Sequence, residues 1–217
     1  MTIPCSLYPL GTMIGPYKIG EVLCNISNGA SKVIYLYPGI YYIRAQGAGG
    51  GGGRNGYFGN GQGGGSGAGF EGYLRIKGNV GKVTCTTGVG GTEAYDGNPG
   101  GNTQIGGIMT LGGGLGGAGE NKEHVANEGL YTFNSNPGAW EIVSSTVARD
   151  GNRGIEAASS SASSKSGGDS VLTNSGGGLG HANATAPGAG GGGGYEWNSN
   201  GGGGGYGECL IKFVKFY

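Results

Sequence analysis

Four cysteines and two histidines are the residues of this chain best suited to metal binding or nucleophilic chemistry. Cys5, Cys24, Cys85 and Cys209 include no C-x-x-C pair, and neither histidine lies in a metal-ligand spacing. The pattern therefore predicts no zinc site or other bound metal. We expect each cysteine to be a small buried hydrophobic residue. The alternative is disulfide bonding, with Cys85 and Cys209 as candidate neighbours because both lie in predicted strands.

Catalytic and cofactor-binding patterns are also missing. Residues 47–52 satisfy G-x-G-x-x-G after a predicted strand, but no helix-forming stretch follows, and no glycine run continues into Gly-Lys-Ser/Thr. The sequence contains no nucleophile elbow or recognisable triad. Its carboxylates are scattered: Glu93, Asp96, Glu120, Glu123 and Asp150. We therefore predict a protein that is not an enzyme and carries no cofactor.

Glycine dominates the composition, with 58 of 217 residues. Such a content is typical of disordered sequence, but disordered chains are usually charged and poor in aromatic residues. This chain is only 12% charged and has 13 Tyr, 5 Phe and 2 Trp. Its net charge of zero argues against nucleic-acid binding, and no apolar stretch approaches the ~20 residues of a membrane span. No secretory signal is predicted at the N-terminus.

Two segments carry the strongest strand signals. Residues 33–37 are β-branched and aromatic, Pro38-Gly39 marks a turn, and residues 40–46 alternate. The alternation predicts one buried face (Tyr41, Ile43, Ala45) and one solvated face (Tyr42, Arg44, Gln46). Residues 208–217 alternate in the same way, with Cys209, Ile211 and Phe213 on one face. Because a strand cannot stand alone, we expect this one to pair with a strand from the first ninety residues.

Weaker strands are predicted at residues 72–77, 82–87 and 104–111, and only 140–149 and 155–165 could form short helical pieces. Glycine runs join these segments. In the polyproline-II shape a chain has three residues per turn and no internal hydrogen bonds, so glycine strands can pack side by side and bond to one another. The alternative is flexible surface loops. The predicted fold is all-β: an antiparallel, jelly-roll-like sandwich with packed polyglycine-II strands inserted and almost no helix.

The predicted domain organisation is simple. Residues 1–30 would form an N-terminal attachment segment, and residues 31–217 a single glycine-rich domain. Within it, residues 120–175 have fewer glycines and are expected to form an excursion from the scaffold.

Three motifs, in order, resemble the glycine-rich domains of tailed-phage and prophage tail proteins. The first is residues 38–50, PGIYYIRAQGAGG. The second is GGNTQIG at 100–106 followed by TLGGG at 110–114. The third is the glycine run that enters the hydrophobic strand at 201–216. Such domains include adhesins at the tips of long tail fibres, in which packed polyglycine-II strands carry loops that bind bacterial surface receptors.

The resemblance implies a virion tail protein, assembled in the host cytoplasm, whose partners are a host outer-membrane protein or glycan and other virion proteins or copies of itself. The loops implied to bind the receptor are residues 54–58, 92–98, 121–140 and 195–200. Aromatic side chains in such loops offer broad, rigid contact area. The candidate contact residues are Tyr57, Phe58, Tyr95, Tyr131, Phe133, Trp140, Tyr195 and Trp197.

Two other interpretations of the sequence stay open. The passage from strand into glycine run also resembles the glycine-rich ectodomains of animal receptor tyrosine kinases, which would imply a secreted ligand-binding domain. A third possibility is a structural virion decoration or extracellular filament subunit without a ligand, for which an apolar patch along one face would be expected.

Overall fold

Two five-stranded antiparallel sheets form a sandwich in the computed structural model, which describes residues 16–54, 61–78, 81–119, 129–134, 138–154, 166–194 and 199–216. These ranges contain no helix, so the all-β prediction is confirmed. The strands are β1 (Val22–Ser27), β2 (Ser31–Leu36), β3 (Gly39–Gln46), β4 (Gly69–Ile76), β5 (Gly81–Thr86), β6 (Thr103–Ile105), β7 (Met109–Leu111), β8 (Tyr131–Phe133), β9 (Trp140–Arg149) and β10 (Glu208–Lys215).

The first sheet has the strand order β1-β10-β3-β4-β9, and the second has the order β2-β5-β6-β7-β8. As expected, the C-terminal strand β10 pairs with strands from the first ninety residues, on both of its sides. Pro38 does not close a hairpin, because β2 and β3 lie in different sheets and the chain crosses between the layers there. Gly39 allows this crossing, since a Cβ at that position would lie 2.8 Å from the Phe213 ring.

The core lies between the sheets and follows the alternation of β3 and β10. Tyr41, Ile43 and Phe213 are fully buried, and the Tyr41 and Phe213 rings meet edge to face at 5.4 Å. The buried Tyr41 hydroxyl donates to the Tyr37 carbonyl at 2.9 Å, which satisfies its donor. Burial, opposed by this hydrogen bond, raises the pKa of Tyr41 to about 12.

Two sequence predictions need correction here. Residues 140–149 form strand β9 rather than a helical piece, because they pair along the whole length of β4; residues 155–165 lie outside the described residues. The boundary at residue 30 is also wrong, because β1 pairs with β10 and Tyr17 packs against Phe213. The region 120–175 is expected to form an excursion from the scaffold, but its described part includes β8 and β9, which belong to the two sheets.

A bundle of extended glycine strands continues from one end of the sandwich. At its centre lies the run 47–53, which follows directly from β3. Successive amides of this run donate in turn to three neighbouring strands, at residues 62–68, 95–101 and 202–205, and the pattern repeats every three residues. Its carbonyls accept from three others, at 88–91, 112–119 and 190–194. A chain with three residues per turn directs successive amides about 120° apart, so this is the hydrogen bonding of polyglycine-II packing.

Close backbone approach explains why these strands are glycine. A Cβ added to Gly50 would lie 2.1 Å from the Leu115 carbonyl oxygen, and one added to Gly52 would lie 1.9 Å from that of Gly192. Both obstacles are backbone atoms of a neighbouring strand, so no side-chain rotation could remove the clash. Glycine is therefore the packing residue of the bundle, as the composition predicted.

The junction between sandwich and bundle corrects one further prediction. The alternation predicts a solvated Gln46, but this residue is fully buried where β3 becomes a glycine strand. Its Nε2 donates to the Gly67 carbonyl at 3.2 Å, and its Oε1 accepts from the Ser170 hydroxyl at 2.8 Å. The buried amide thus ties the glycine strand that enters β4 to the turn at residues 170–174.

We expect Ser170→Ala to lower the free energy of unfolding by about 1–3 kcal/mol, because it leaves the buried Gln46 Oε1 without its donor. Urea unfolding followed by far-UV circular dichroism would measure the change. Ser175→Ala is a suitable control, because its exposed hydroxyl makes only a 3.4 Å contact with Thr173. Equal stability of the two variants would contradict the role given to the junction.

Candidate functional site

Several strands of the glycine bundle reach the end farthest from the sandwich, here called the distal end. Six residues separate Gly47, next to β3, from Gly53, which corresponds to about 19 Å at ~3.1 Å per residue. The described residues that reach the level of Gly53 and Arg54 come from several runs: Gln62, Tyr95, Ala118 and Gly194. Strand residues that are distant in sequence are thus brought to one surface.

The distal turn, residues 92–98, is the part of this end that the structure describes in full. The Asn98 amide donates to the Thr92 carbonyl at 3.0 Å, and its side-chain Nδ2 donates to the Thr92 hydroxyl at 2.8 Å. Asp96 accepts from the Gly119 amide at 3.0 Å, which fixes the turn to a neighbouring strand. Tyr95 is left 52% exposed on this braced turn. A rigid exposed tyrosine loses little conformational entropy when it binds a partner.

A groove of about 390 Å³ runs along the bundle from the turn between β1 and β2 to the start of the distal turn. Its wall is amphipathic, with the exposed side chains of Asn28, Val89, Glu93, Asn183 and Tyr206. Asn183 Oδ1 accepts from the Gly203 amide at 2.7 Å, so its position is fixed by the bundle. The groove combines a carboxylate, amides and an aromatic ring, groups that can hydrogen-bond and stack on a sugar or a polar peptide.

Three predicted contact residues lie on strands instead of loops. Tyr131 and Phe133 belong to β8 and Trp140 opens β9, so the loop assignment of 121–140 is wrong for its described part. These two strands are the edges of the two sheets on the same side of the sandwich, and the rings cover the core there. The Tyr131 ring stacks on Phe70 at 6.2 Å, and Trp140 Nε1 donates to the Asn134 carbonyl at 2.9 Å.

Of the remaining predicted contact residues, one is described by the structure and four are not. Tyr95 lies in an exposed turn, as expected of its loop. Tyr57, Phe58, Tyr195 and Trp197 lie outside the described residues. Sequence reasoning missed the wall residues Asn28, Val89 and Asn183, because glycine runs hide which side chains face a shared groove. The polar segment 183–185 between two glycine runs is the only signal that could have marked them.

The cysteines are the candidate metal ligands of the described residues. Cys24, Cys85 and Cys209 are buried between the sheets as free thiols, and their sulfur atoms all lie within 4.8 Å of one another. The prediction that they are buried is confirmed for these three, whereas Cys5 lies outside the described residues. Their clustering was not foreseen beyond the neighbourhood suggested for Cys85 and Cys209.

Neither a scan against protein-family models nor a search of curated proteins finds a match to this chain. Among the described residues, no helix has the length and apolar character needed to cross a membrane. Fold and surface together define an all-β protein in which a sandwich supports a bundle of hydrogen-bonded glycine strands with a braced turn at its distal end.

Proposed function

We propose that this chain is a virion tail protein of a tailed phage, an adhesin that binds a receptor on the host-cell surface through its distal end. The observation that carries the proposal is the position of the exposed Tyr95 on a turn that six hydrogen bonds, within the turn and to the bundle, hold in place. A rigid scaffold that displays turns at one end is the usual design of a recognition surface.

The position of residues 16–20 is consistent with this assignment. The Gly20 amide donates to the Phe213 carbonyl, and Tyr17 packs on Tyr37 and Phe213, at the end of the sandwich opposite the bundle. Residues 16–20 and the distal turn therefore lie at opposite ends of the described structure. In an adhesin, the first end would face the virion and the second would face the host.

The proposal predicts that Tyr95→Ala weakens binding of the fluorescently labelled full-length protein to host cells by about tenfold or more, since one anchoring tyrosine is worth about 1–2 kcal/mol or more. Tyr35→Ala is the matched control: Tyr35 is 51% exposed, against 52% for Tyr95, but lies on β2 in the sandwich. Both variants should unfold at the wild-type denaturant concentration. Equal loss of binding in both, or none in either, contradicts recognition by the distal turn.

The groove is tested in the same way. Tyr206→Ala should reduce binding if the receptor reaches along the bundle, and Tyr73→Ala provides a tyrosine of equal exposure on the outer face of the first sheet (43% and 42%). A receptor confined to the distal turn would leave both variants at wild-type affinity.

A structural virion or filament subunit is the second candidate, and one surface favours it. The outer face of the first sheet carries a second groove, of about 470 Å³, lined by Ile19, Tyr42, Tyr73, Leu210 and Val214. An apolar face of this kind is suited to contact with another protein. Under this alternative, Tyr73→Ala would impair assembly measured by light scattering, and the protein would show no saturable binding to cells.

A further inference from the structure

Three cysteines meet between the sheets from three separate strands. Cys24 lies on β1 and Cys209 on the adjacent β10, while Cys85 reaches them from β5 in the opposite sheet. The β1–β10 register places Ile211 opposite Cys24 and Cys209 opposite Ile26, so the two cysteines are diagonal neighbours on the inner face. All three residues are almost completely buried, at 0–1% exposure.

The triangle of sulfur atoms has the size of a metal site. Its sides are no longer than 4.8 Å, and the centre of an equilateral triangle of that side lies about 2.8 Å from each corner, close to a metal–thiolate bond of about 2.3 Å. A side-chain shift of about half an ångström would complete the bonds. The backbone pairing of the three strands could stay as it is.

The kind of metal follows from the ligand set. Among the described residues, the cluster offers three sulfur atoms and no histidine or carboxylate, and all three cysteines belong to the hydrophobic core cluster between the sheets. Structural zinc is almost always four-coordinate, whereas soft thiolate ligands also select Cu(I). Cu(I) accepts three sulfur ligands, so this site matches its preferred coordination better than that of zinc.

We propose that Cys24, Cys85 and Cys209 form a three-sulfur binding site for Cu(I) that joins the two sheets. The site is buried between the sheets, whereas the distal turn and the groove are surface features, so it stands independently of the receptor-binding proposal. Because the sulfur atoms are buried, the ion enters as the chain folds, and its binding free energy adds to that of folding.

The test is to refold the reduced full-length protein without oxygen, with Cu(I) supplied as its acetonitrile complex, and to remove unbound metal by gel filtration. Wild type and Cys5→Ala should each retain one Cu(I) per chain by native mass spectrometry. Cys85→Ala and Cys209→Ala should lose this retained ion. X-ray absorption of the wild type should show three sulfur neighbours and no nitrogen or oxygen.

The X-ray absorption measurement does not depend on whether the variants fold. Folded wild-type protein that retains no Cu(I), or that holds it with two sulfur atoms or fewer, overturns the site. Retention of the ion by folded Cys85→Ala also overturns it, as does loss of the ion in Cys5→Ala.

Discussion

Gly50→Ala is expected to lower the free energy of unfolding by at least about 3 kcal/mol, a large share of the roughly 5–15 kcal/mol that stabilises an ordinary folded protein. Gly50 lies in the central strand of the bundle, where its amide donates to Gly65 and its carbonyl accepts from Gly191. The added methyl group would lie 2.1 Å from the Leu115 carbonyl oxygen and 2.4 Å from its carbon. To relieve this clash, two hydrogen-bonded strands would have to separate. Their buried backbone groups would then be exposed to water or left without hydrogen-bond partners.

Two adjacent residues provide the control for this prediction. A Cβ on Gly203 would meet its nearest atom, Asn183 Oδ1, only at 3.4 Å, whereas one on Gly202 would lie 1.9 Å from the Ala182 carbonyl oxygen. Gly203→Ala should therefore remain within about 1 kcal/mol of wild type, and Gly202→Ala should behave like Gly50→Ala. Soluble yield and urea midpoints would compare the four proteins. Equal stability of Gly202→Ala and Gly203→Ala would show that the glycine strands do not pack as described.

Phe213→Ala is the second large effect, expected to cost about 3–5 kcal/mol. The ring is fully buried on the inner face of β10 and contacts Tyr41 and Phe216 at centroid distances of 5.4 and 4.6 Å. Its removal leaves a cavity beneath Gly39, where the chain crosses between the sheets. Thermal and urea unfolding would both report the loss.

Val214→Ala is its matched control, since Val214 is the next residue of the same strand and points to the outer, half-buried face. It should cost about 1 kcal/mol or less. A similar loss in the two variants would mean that β10 has no distinct inner face. In hydrogen exchange of Phe213→Ala, the amides of β1 and β3 should lose protection equally, because β10 pairs with both strands.

The proposed functions separate experimentally because their surfaces lie on different parts of the molecule. The distal turn with Tyr95 and the groove beside Tyr206 belong to the glycine bundle, whereas the apolar face with Tyr73 belongs to the sandwich. Single tyrosine variants of matched exposure can therefore assign cell binding or self-assembly to one surface without a change in the core.

The amino-acid sequence alone determined the local structure of the sandwich strands and the role of glycine. Alternation in residues 40–46 and 208–215 placed Tyr41, Ile43 and Phe213 inside, because a strand turns successive side chains to opposite faces. Glycine strands have no side chains and no internal hydrogen bonds, so their backbone groups must bond to other strands once they are buried. The composition alone therefore predicted the glycine bundle.

Tertiary structure decided which strands meet, because partner choice depends on contacts between residues far apart in the chain. It paired 140–149 with β4, against a weak helical expectation, and buried Gln46 beneath the bundle. It also turned Tyr131, Phe133 and Trp140 toward the core at the edge of the sandwich, where their apolar area leaves water. Tertiary structure also brought Cys24, Cys85 and Cys209 together, because residues from these three strands meet only where the two sheets face each other.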